Sequence, residues 1–175
     1  MRFTEHPVFF LGGPVRGGGN WQEKMCKVIR HMTPEATIAV PIRWDENSTL
    51  AQYFLPEDSD SVQIFPRQRD YEQHYIDLAC VGYLRSCLIF WLPLQVEPRP
   101  PEDGPYGQDT YGEIGEARGR MMSNKNVRVV IGGEKGFYGL DMIQRNFTAR
   151  LGYDFPIYKT MEDTAAAALE MSLRK

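Results

Sequence analysis

The chain has 175 residues, of which 42% are hydrophobic and 25% are charged, so it can bury one good core but is short for two. We therefore expect a single domain over residues 1–175. The formal charge of −3, with lysine and arginine scattered along the chain, argues against nucleic acid as a partner. Short apolar runs and an N-terminus without a secretion signal predict a cytoplasmic protein that does not contact membranes.

The cysteines and histidines show no spacing typical of metal ligands. Cys26, Cys80 and Cys87 are an odd number without a Cys-x-x-Cys pair, which indicates buried thiols rather than disulfides or a zinc site. The three histidines are also far from one another in the sequence. We expect neither a metal site nor a cofactor, although ligands from distant segments could still converge.

Five short β-type runs alternate with helical patterns. The runs are residues 8–11, 37–42, 87–93, 127–132 and 155–158. Apolar side chains recur at helical spacing in residues 21–32, 67–84, 140–149 and 161–173, and a further helix begins near Glu113. This alternation predicts a three-layer α/β fold of the flavodoxin-like or Rossmann-like kind, in which a parallel five-stranded sheet has helices on both faces.

Two long segments interrupt the regular pattern. Residues 43–66 are polar and rich in turn residues, which is typical of a lid or an insertion. Residues 94–107 contain four prolines, which should exclude regular structure, and they lead directly to the helix of Glu113. We expect both loops to flank a crevice at the edge of the sheet.

Glu113 is the strongest candidate for a catalytic residue. It follows the third apolar run, in the first turn of the predicted helix, and open α/β sheets bind ligands at this edge. Free backbone N–H groups at a helix start favour an ionised carboxylate, so Glu113 is a plausible nucleophile. The alternative is a capping box, in which Thr110 caps the helix and Glu113 folds back onto its first residues.

The first apolar run leads into a glycine-rich turn, Gly-Gly-Pro-Val-Arg-Gly-Gly-Gly, at residues 12–19. Such a turn can bring backbone N–H groups close to an anion, and Arg16 could add a charge-assisted hydrogen bond. The turn matches neither the Walker loop nor the dinucleotide-binding fingerprint, so a flexible connection is the alternative. The predicted substrate contacts of this region are Gly12, Gly13, Pro14, Arg16, Gly17 and Trp21.

Three tryptophans could stack a nucleobase, namely Trp21, Trp44 and Trp91. Tryptophans more often belong to the core, as we expect for Trp91 inside a strand. Asp77, on the helix before the third run, is a second catalytic candidate. Two carboxylates that converge on one pocket are the arrangement that cleaves glycosidic bonds, although most helical aspartates simply face water.

Three of these segments, in this order, resemble the nucleoside 2-deoxyribosyltransferase superfamily, which includes the 2′-deoxynucleoside 5′-monophosphate N-glycosidases. Residues 8–18 resemble its opening strand and glycine-rich sugar or phosphate loop. Asp77 and the run at 90–93 are similar to the segment that supplies a substrate-contacting aspartate. Residues 112–117, Gly-Glu-Ile-Gly-Glu-Ala, look like the motif that contains the nucleophile of the family.

The resemblance implies that Glu113 attacks the anomeric carbon of a 2′-deoxyribonucleoside and forms a glycosyl-enzyme, from which a second base or water takes the sugar. It implies that Asp77 orients the sugar or exchanges a proton with the base. The additional acid that relatives place before the nucleophile would be Asp109, with Asp103 as second choice. A small-molecule nucleoside or nucleotide substrate and a homo-oligomer are further implications.

One departure from the family pattern concerns the first strand. Many relatives carry there a tyrosine that contacts the nucleophile, whereas the nearest residue here is Phe9, which has no hydroxyl. Three functions remain open. Glycosyl transfer is the leading prediction, hydrolysis of a deoxynucleoside monophosphate is favoured by Arg16, and a non-catalytic nucleotide-binding module is favoured by Phe9.

Overall fold

The structure is a computed structural model that describes residues 6–40, 68–80 and 85–174. In these ranges five strands form one sheet: β1 (Val8–Gly12), β2 (Thr37–Ala39), β3 (Ser86–Leu92), β4 (Val129–Gly133) and β5 (Ile157–Tyr158). The strands are all parallel and follow the order β2-β1-β3-β4-β5. This is the flavodoxin-like order, so the predicted fold class is confirmed.

Five helices surround the sheet in the described ranges: α1 (Trp21–Met32), α2 (Gln68–Cys80), α3 (Gln108–Ser123), α4 (Leu140–Leu151) and α5 (Met161–Leu173). A short 3-10 helix spans Pro101–Asp103. The prediction that residues 94–107 hold no regular structure is wrong for these three, because a proline fits the first helical position. The predicted lid at 43–66 lies outside the described residues, as do predicted strand residues 41–42 and helix residues 67 and 81–84.

Strand periodicity divides the core into two layers. Alternate side chains such as Phe10, Leu88 and Phe90 pack against α2, α3 and α4. Their neighbours, including Phe9 and Ile89, pack against α1 and α5 on the other face. The described parts of the chain therefore form the three layers that the alternating pattern predicts.

The described cysteines are buried within this core. Cys26 on α1 and Cys87 on β3 form no disulfide, as the sequence predicts. Burial raises the pKa of both thiols to about 12, so they stay protonated at neutral pH. None of the described helices is long and apolar enough to cross a bilayer.

Helix α3 has an exposed face that is rich in glycine. Gly112, Gly115 and Gly119 are exposed, and a side chain added at any of them would meet nothing within 4 Å. The opposite face carries Ile114 and Ala117, which are buried against the sheet. The helix is thus fixed along one side only.

The sheet order creates a crevice between β1 and β3. These strands are neighbours, with Gly12 beside Phe90, yet the chain leaves β1 towards β2 and leaves β3 towards β4 on the opposite side. The two connections diverge at the carboxyl ends of the strands, which is where open α/β sheets bind ligands. The glycine-rich turn and the start of α3 both lie at this edge.

Candidate functional site

A cavity of about 520 Å³ lies at the carboxyl ends of β1 and β3. Its walls come from the glycine-rich turn, the loop after β3, the first turns of α3 and one residue of α2. A second cavity of about 310 Å³ continues between α2 and α3 and shares Asp109 and Glu113 with the first. Five predicted site residues line the main cavity: Gly13, Pro14, Arg16, Asp109 and Glu113.

The start of α3 excludes the capping box. The helix begins at Gln108, after Gly107 in the left-handed conformation with φ of 76°, and no side chain caps it. Thr110 is therefore a buried third helical residue, and Glu113 lies in the second turn rather than the first. The helix can start this early because the last proline before it is Pro105. The carbonyl of Pro105 accepts a hydrogen bond from the Gln108 N–H, and no later proline interrupts the helix.

The carboxylate of Glu113 reaches back to the end of β1. A Cβ atom at Gly12 would lie 3.4 Å from Glu113 Oε2 and would overlap the ring of Phe90. Gly12 does not line the cavity itself; its missing side chain leaves the space that the Phe90 ring occupies. A side chain at position 12 would clash with the Phe90 ring, whereas the Glu113 carboxylate lies at ordinary contact distance from that position.

Phe9 does not face Glu113. It is buried on the sheet face that packs against α1 and α5, whereas α3 packs on the opposite face. The residues of β1 on the face of α3 are Val8, Phe10 and Gly12, and none of them has a hydroxyl. The departure from the family pattern therefore stands, because β1 presents no hydroxyl on the face of α3, but Phe9 is not the residue responsible.

The side chain of Trp21 packs against the glycine-rich turn and supports it. The indole is 2% exposed, and its N–H donates a hydrogen bond of 2.7 Å to the carbonyl of Pro14. Gly13 has φ of +150°, and a Cβ there would lie 2.8 Å from the Trp21 ring and overlap the carbonyl of Trp91. The turn is thus a fixed wall rather than a flexible connection. Trp21 supports it and offers no open face for stacking a base, contrary to the prediction.

The predictions for the other two tryptophans, Trp91 and Trp44, are treated differently by the structure. Trp91 is 3% exposed in β3, which confirms the prediction that it belongs to the core. Its indole nitrogen is buried and has no hydrogen-bond partner among the described residues. Trp44 lies outside the described residues. Trp21 and Trp91 therefore make a matched pair of buried indoles, of which the first holds the turn through a hydrogen bond.

Replacing Trp21 with phenylalanine should loosen the turn. The change removes the bond to Pro14 and part of a buried ring, so we expect a loss of about 1–3 kcal/mol in the free energy of unfolding. Trp91→Phe removes a similar volume but no such bond, and should cost about 1 kcal/mol less. Urea denaturation of both variants measures the difference; equal losses would contradict the supporting role of the hydrogen bond.

The loop after β3 is tied to the same turn. Gly17 does not line the cavity, but its carbonyl accepts a hydrogen bond of 2.8 Å from the Val96 N–H. The Tyr106 hydroxyl donates to the Pro93 carbonyl at 2.9 Å, and burial raises the pKa of this hydroxyl to about 12. The hydroxyl therefore remains a donor at neutral pH. Gly17 thus joins two walls of the cavity, whereas the sequence predicts that it contacts the substrate.

Two arginines line the main cavity among the described residues. Arg16 pairs with the carboxylate of Asp103 at 2.6 Å. Arg99 donates to the backbone carbonyls of Asp103 and Pro105 at 2.7 and 2.8 Å. Both guanidinium groups thus already have oxygen partners from the loop after β3.

Asp77 lies outside both cavities, which does not agree with its predicted catalytic role. Its carboxylate pairs with Arg120 at 2.7 Å, and Arg120 also pairs with Glu116 at 2.5 Å. Gln73 donates to the carboxylates of both Asp77 and Glu116, at 3.1 and 3.3 Å. Asp77 therefore contributes to a clamp between α2 and α3.

Glu72 takes the place that Asp77 was expected to fill. It lines both cavities, together with Asp109 and Glu113. Glu72 and Ile76 are four residues apart and share a face of α2 that lines the second cavity, whereas Asp77 lies about 140° around the helix from Glu72 and its carboxylate contacts Gln73 and Arg120. The spacing from apolar Ile76 is a signal in the sequence that could have identified Glu72.

The arrangement brings three carboxylates to the junction of the two cavities, from Glu72, Asp109 and Glu113. In the part of the chain that the structure describes, no three His, Cys, Asp or Glu side chains are grouped as ligands of a metal ion would be. Asp109 lies in the first turn of α3, beside the backbone N–H groups that have no partner within the helix. Such a set can supply a nucleophile and separate groups that orient the substrate and transfer protons.

Comparison with known proteins adds no relative. No model of a protein family matches the chain, and no curated protein matches it either.

Proposed function

We propose that the protein cleaves the N-glycosidic bond of 2′-deoxyribonucleosides through Glu113 and transfers the sugar to a second base. The observation that supports this most is the position of the Glu113 carboxylate against the backbone of β1, at the edge of a cavity shared with Glu72 and Asp109. The resemblance of residues 8–117 to the nucleoside 2-deoxyribosyltransferase superfamily supplies the substrate class.

The reaction has two steps of the same kind. A carboxylate oxygen of Glu113 forms a bond to the anomeric carbon while the bond from that carbon to the base nitrogen breaks, and its electron pair leaves with the base. The transition state carries positive charge on the sugar, which the nearby carboxylates stabilise. An acceptor base then attacks the same carbon and releases Glu113, or water does so and the reaction is a hydrolysis.

The departing base needs a proton, because a protonated base leaves more readily. Glu72 and Asp109 are the groups that we assign to this proton and to the orientation of the substrate, since both line the two cavities beside Glu113. Their positions on two different helices place them on separate sides of the junction. Asp77 has no direct part in this mechanism.

Base exchange tests the proposal. The protein is incubated with each of the four common 2′-deoxynucleosides, with and without a different free base. A new nucleoside that forms only when the free base is present supports transfer. Free 2′-deoxyribose in both reactions supports hydrolysis at the same nucleophile, and tight binding of nucleosides without any turnover supports a non-catalytic module.

Glu72→Gln and Asp77→Asn should separate proton transfer from structural support. Glu72→Gln should lower kcat about a hundredfold, because it removes a titratable group from the cavity. Asp77→Asn should cost less than about 1 kcal/mol of unfolding free energy, as is usual for exposed ion pairs, and change kcat less than about threefold. Steady-state kinetics and thermal unfolding measure both effects. The assignment is wrong if Asp77→Asn is the variant that loses activity.

We also retain the proposal of a homo-oligomer, which the resemblance implies. A small chain with long loops would be suited to completing its site with a neighbouring copy. Sedimentation of the purified protein gives the mass in solution, and a mass of one chain over the working concentration range would contradict this proposal.

A further inference from the structure

We propose that Asp103 makes the site selective for sugars without a 5′-phosphate, because its carboxylate occupies Arg16, the residue best placed to bind that phosphate. The inference rests on the proposed function and specifies its substrate class. It also decides between the two enzyme activities that the sequence leaves open, since Arg16 was the reason to consider a monophosphate substrate.

The pair between Arg16 and Asp103 joins two walls of the main cavity. Arg16 lies in the glycine-rich turn and its side chain is 72% exposed, whereas Asp103 is 17% exposed in the loop after β3. Their nitrogen and oxygen atoms are 2.6 Å apart, at the short end for a charge-assisted hydrogen bond. A phosphate oxygen that approaches Arg16 therefore meets a guanidinium whose positive charge is already partly neutralised by a carboxylate, and one of whose nitrogens already donates to that carboxylate.

Asp103 is held in this position by its backbone. It ends the 3-10 helix Pro101–Asp103, its N–H donates to the Pro100 carbonyl at 3.0 Å, and its own carbonyl accepts from Arg99 at 2.7 Å. Most exposed ion pairs are weak because two long side chains must be ordered to form them. Here one partner is short, largely buried and already ordered, so forming the pair costs less side-chain entropy than forming most exposed pairs.

The net charge of the main cavity also disfavours the binding of a phosphate. Among the described residues that line the main cavity, two arginines face five carboxylates, a formal charge of −3. A phosphate with up to two negative charges would enter a cavity that is already acidic, and Arg99 is engaged with carbonyl groups of the loop. Like charges at close range oppose a ligand, and a site can reject a competitor in this way without any change in its contacts to the preferred substrate. A neutral deoxynucleoside meets no such opposition.

The test measures binding separately from chemistry. Calorimetry compares the four 2′-deoxynucleosides with their 5′-monophosphates, using protein that carries Glu113→Gln so that no ligand is consumed. The protein with Asp103 intact should bind the better nucleosides more tightly than their monophosphates. Adding Asp103→Asn should raise the affinity for monophosphates about tenfold and change the affinity for nucleosides less than about twofold.

Two further variants identify the cause. Glu102→Gln removes the same charge from the neighbouring residue of the same cavity, without touching the ion pair, and should raise the affinity for monophosphates by less than about threefold. Arg16→Met added to Asp103→Asn should abolish the tenfold gain. Equal gains from Glu102→Gln and Asp103→Asn would overturn the role of the pair, as would monophosphates that bind the Asp103 protein as tightly as nucleosides.

Failure of the selectivity and failure of the proposed function give different results. Nucleosides that bind selectively but are never cleaved by the protein with Glu113 would leave the selectivity and overturn the proposed function. Cleavage of nucleosides and monophosphates with equal kcat/KM, together with equal affinities, would leave the function and overturn the selectivity. No binding of either ligand class would overturn both.

Discussion

Glu113→Gln is expected to lower the rate of base release at least about a thousandfold, because an amide cannot serve as the nucleophile in the proposed reaction. The fold should persist. Glutamine has nearly the same shape as glutamate, and Glu113 lies in the second turn of α3 without a capping role that the substitution could disturb. Initial rates of base release and the midpoint of thermal unfolding measure the two effects.

Glu170→Gln is the matched control for this experiment. Glu170 lies on α5, pairs with Arg174 at 2.6 Å and is 70% exposed, far from either cavity. It should retain full activity, which shows that loss of a helical carboxylate is not harmful in itself. A sugar adduct found on Glu113 by mass spectrometry would confirm covalent catalysis. Comparable turnover by Glu113→Gln and the unmodified protein would refute the mechanism.

Gly13→Ala should have the largest effect on stability, about 2–4 kcal/mol of unfolding free energy. Two costs add. The residue has φ of +150°, which side chains rarely adopt, and the new methyl group would overlap the carbonyl of Trp91. The surrounding side chains are buried, so the turn must move to make room, and substrate binding should weaken as well. Urea denaturation and nucleoside affinity measure these losses.

Gly115→Ala provides the opposite control. Gly115 is an exposed residue of α3, and an added Cβ would meet nothing within 4 Å. Alanine is the better helix former, so this variant should be more stable by about 0.5–1 kcal/mol. If both substitutions shift the unfolding free energy in the same direction, the strain assigned to Gly13 is not the cause.

The sheet could be predicted from the sequence because its signals are local. The apolar runs are short, they alternate with helical spacing, and β1, β3 and β4 follow them to within one or two residues. Helix α3 starts three residues before the position that a cap at Thr110 predicts, and the prediction is wrong because a Thr-x-x-Glu pattern resembles a cap. The backbone turn at Gly107, with its φ of 76°, starts the helix earlier without any capping side chain.

The parts of the site that follow from the order of the strands could be predicted from the sequence. The parts that depend on the orientation of individual side chains could not. Gly13 and Glu113 both follow strands that are neighbours in the sheet, so their convergence follows from strand order. Whether Glu72 or Asp77 points into the cavity depends on about 140° of helix rotation, which only packing determines. The pairing of Arg16 with Asp103 joins residues 87 positions apart, through a proline-rich loop whose path no periodic pattern indicates.

The glycines of α3 have a consequence for how the protein can adapt to temperature. Each glycine weakens a helix by about 1 kcal/mol relative to alanine, so the helix that carries Glu113 depends on its buried residues and on its ion pairs with α2. On the proposed function, heat should inactivate the protein before it melts the sheet, because the proposed nucleophile lies on a helix that three glycines weaken. Relatives from warmer habitats could gain durability with alanine at positions 115 and 119, which lie outside the main cavity.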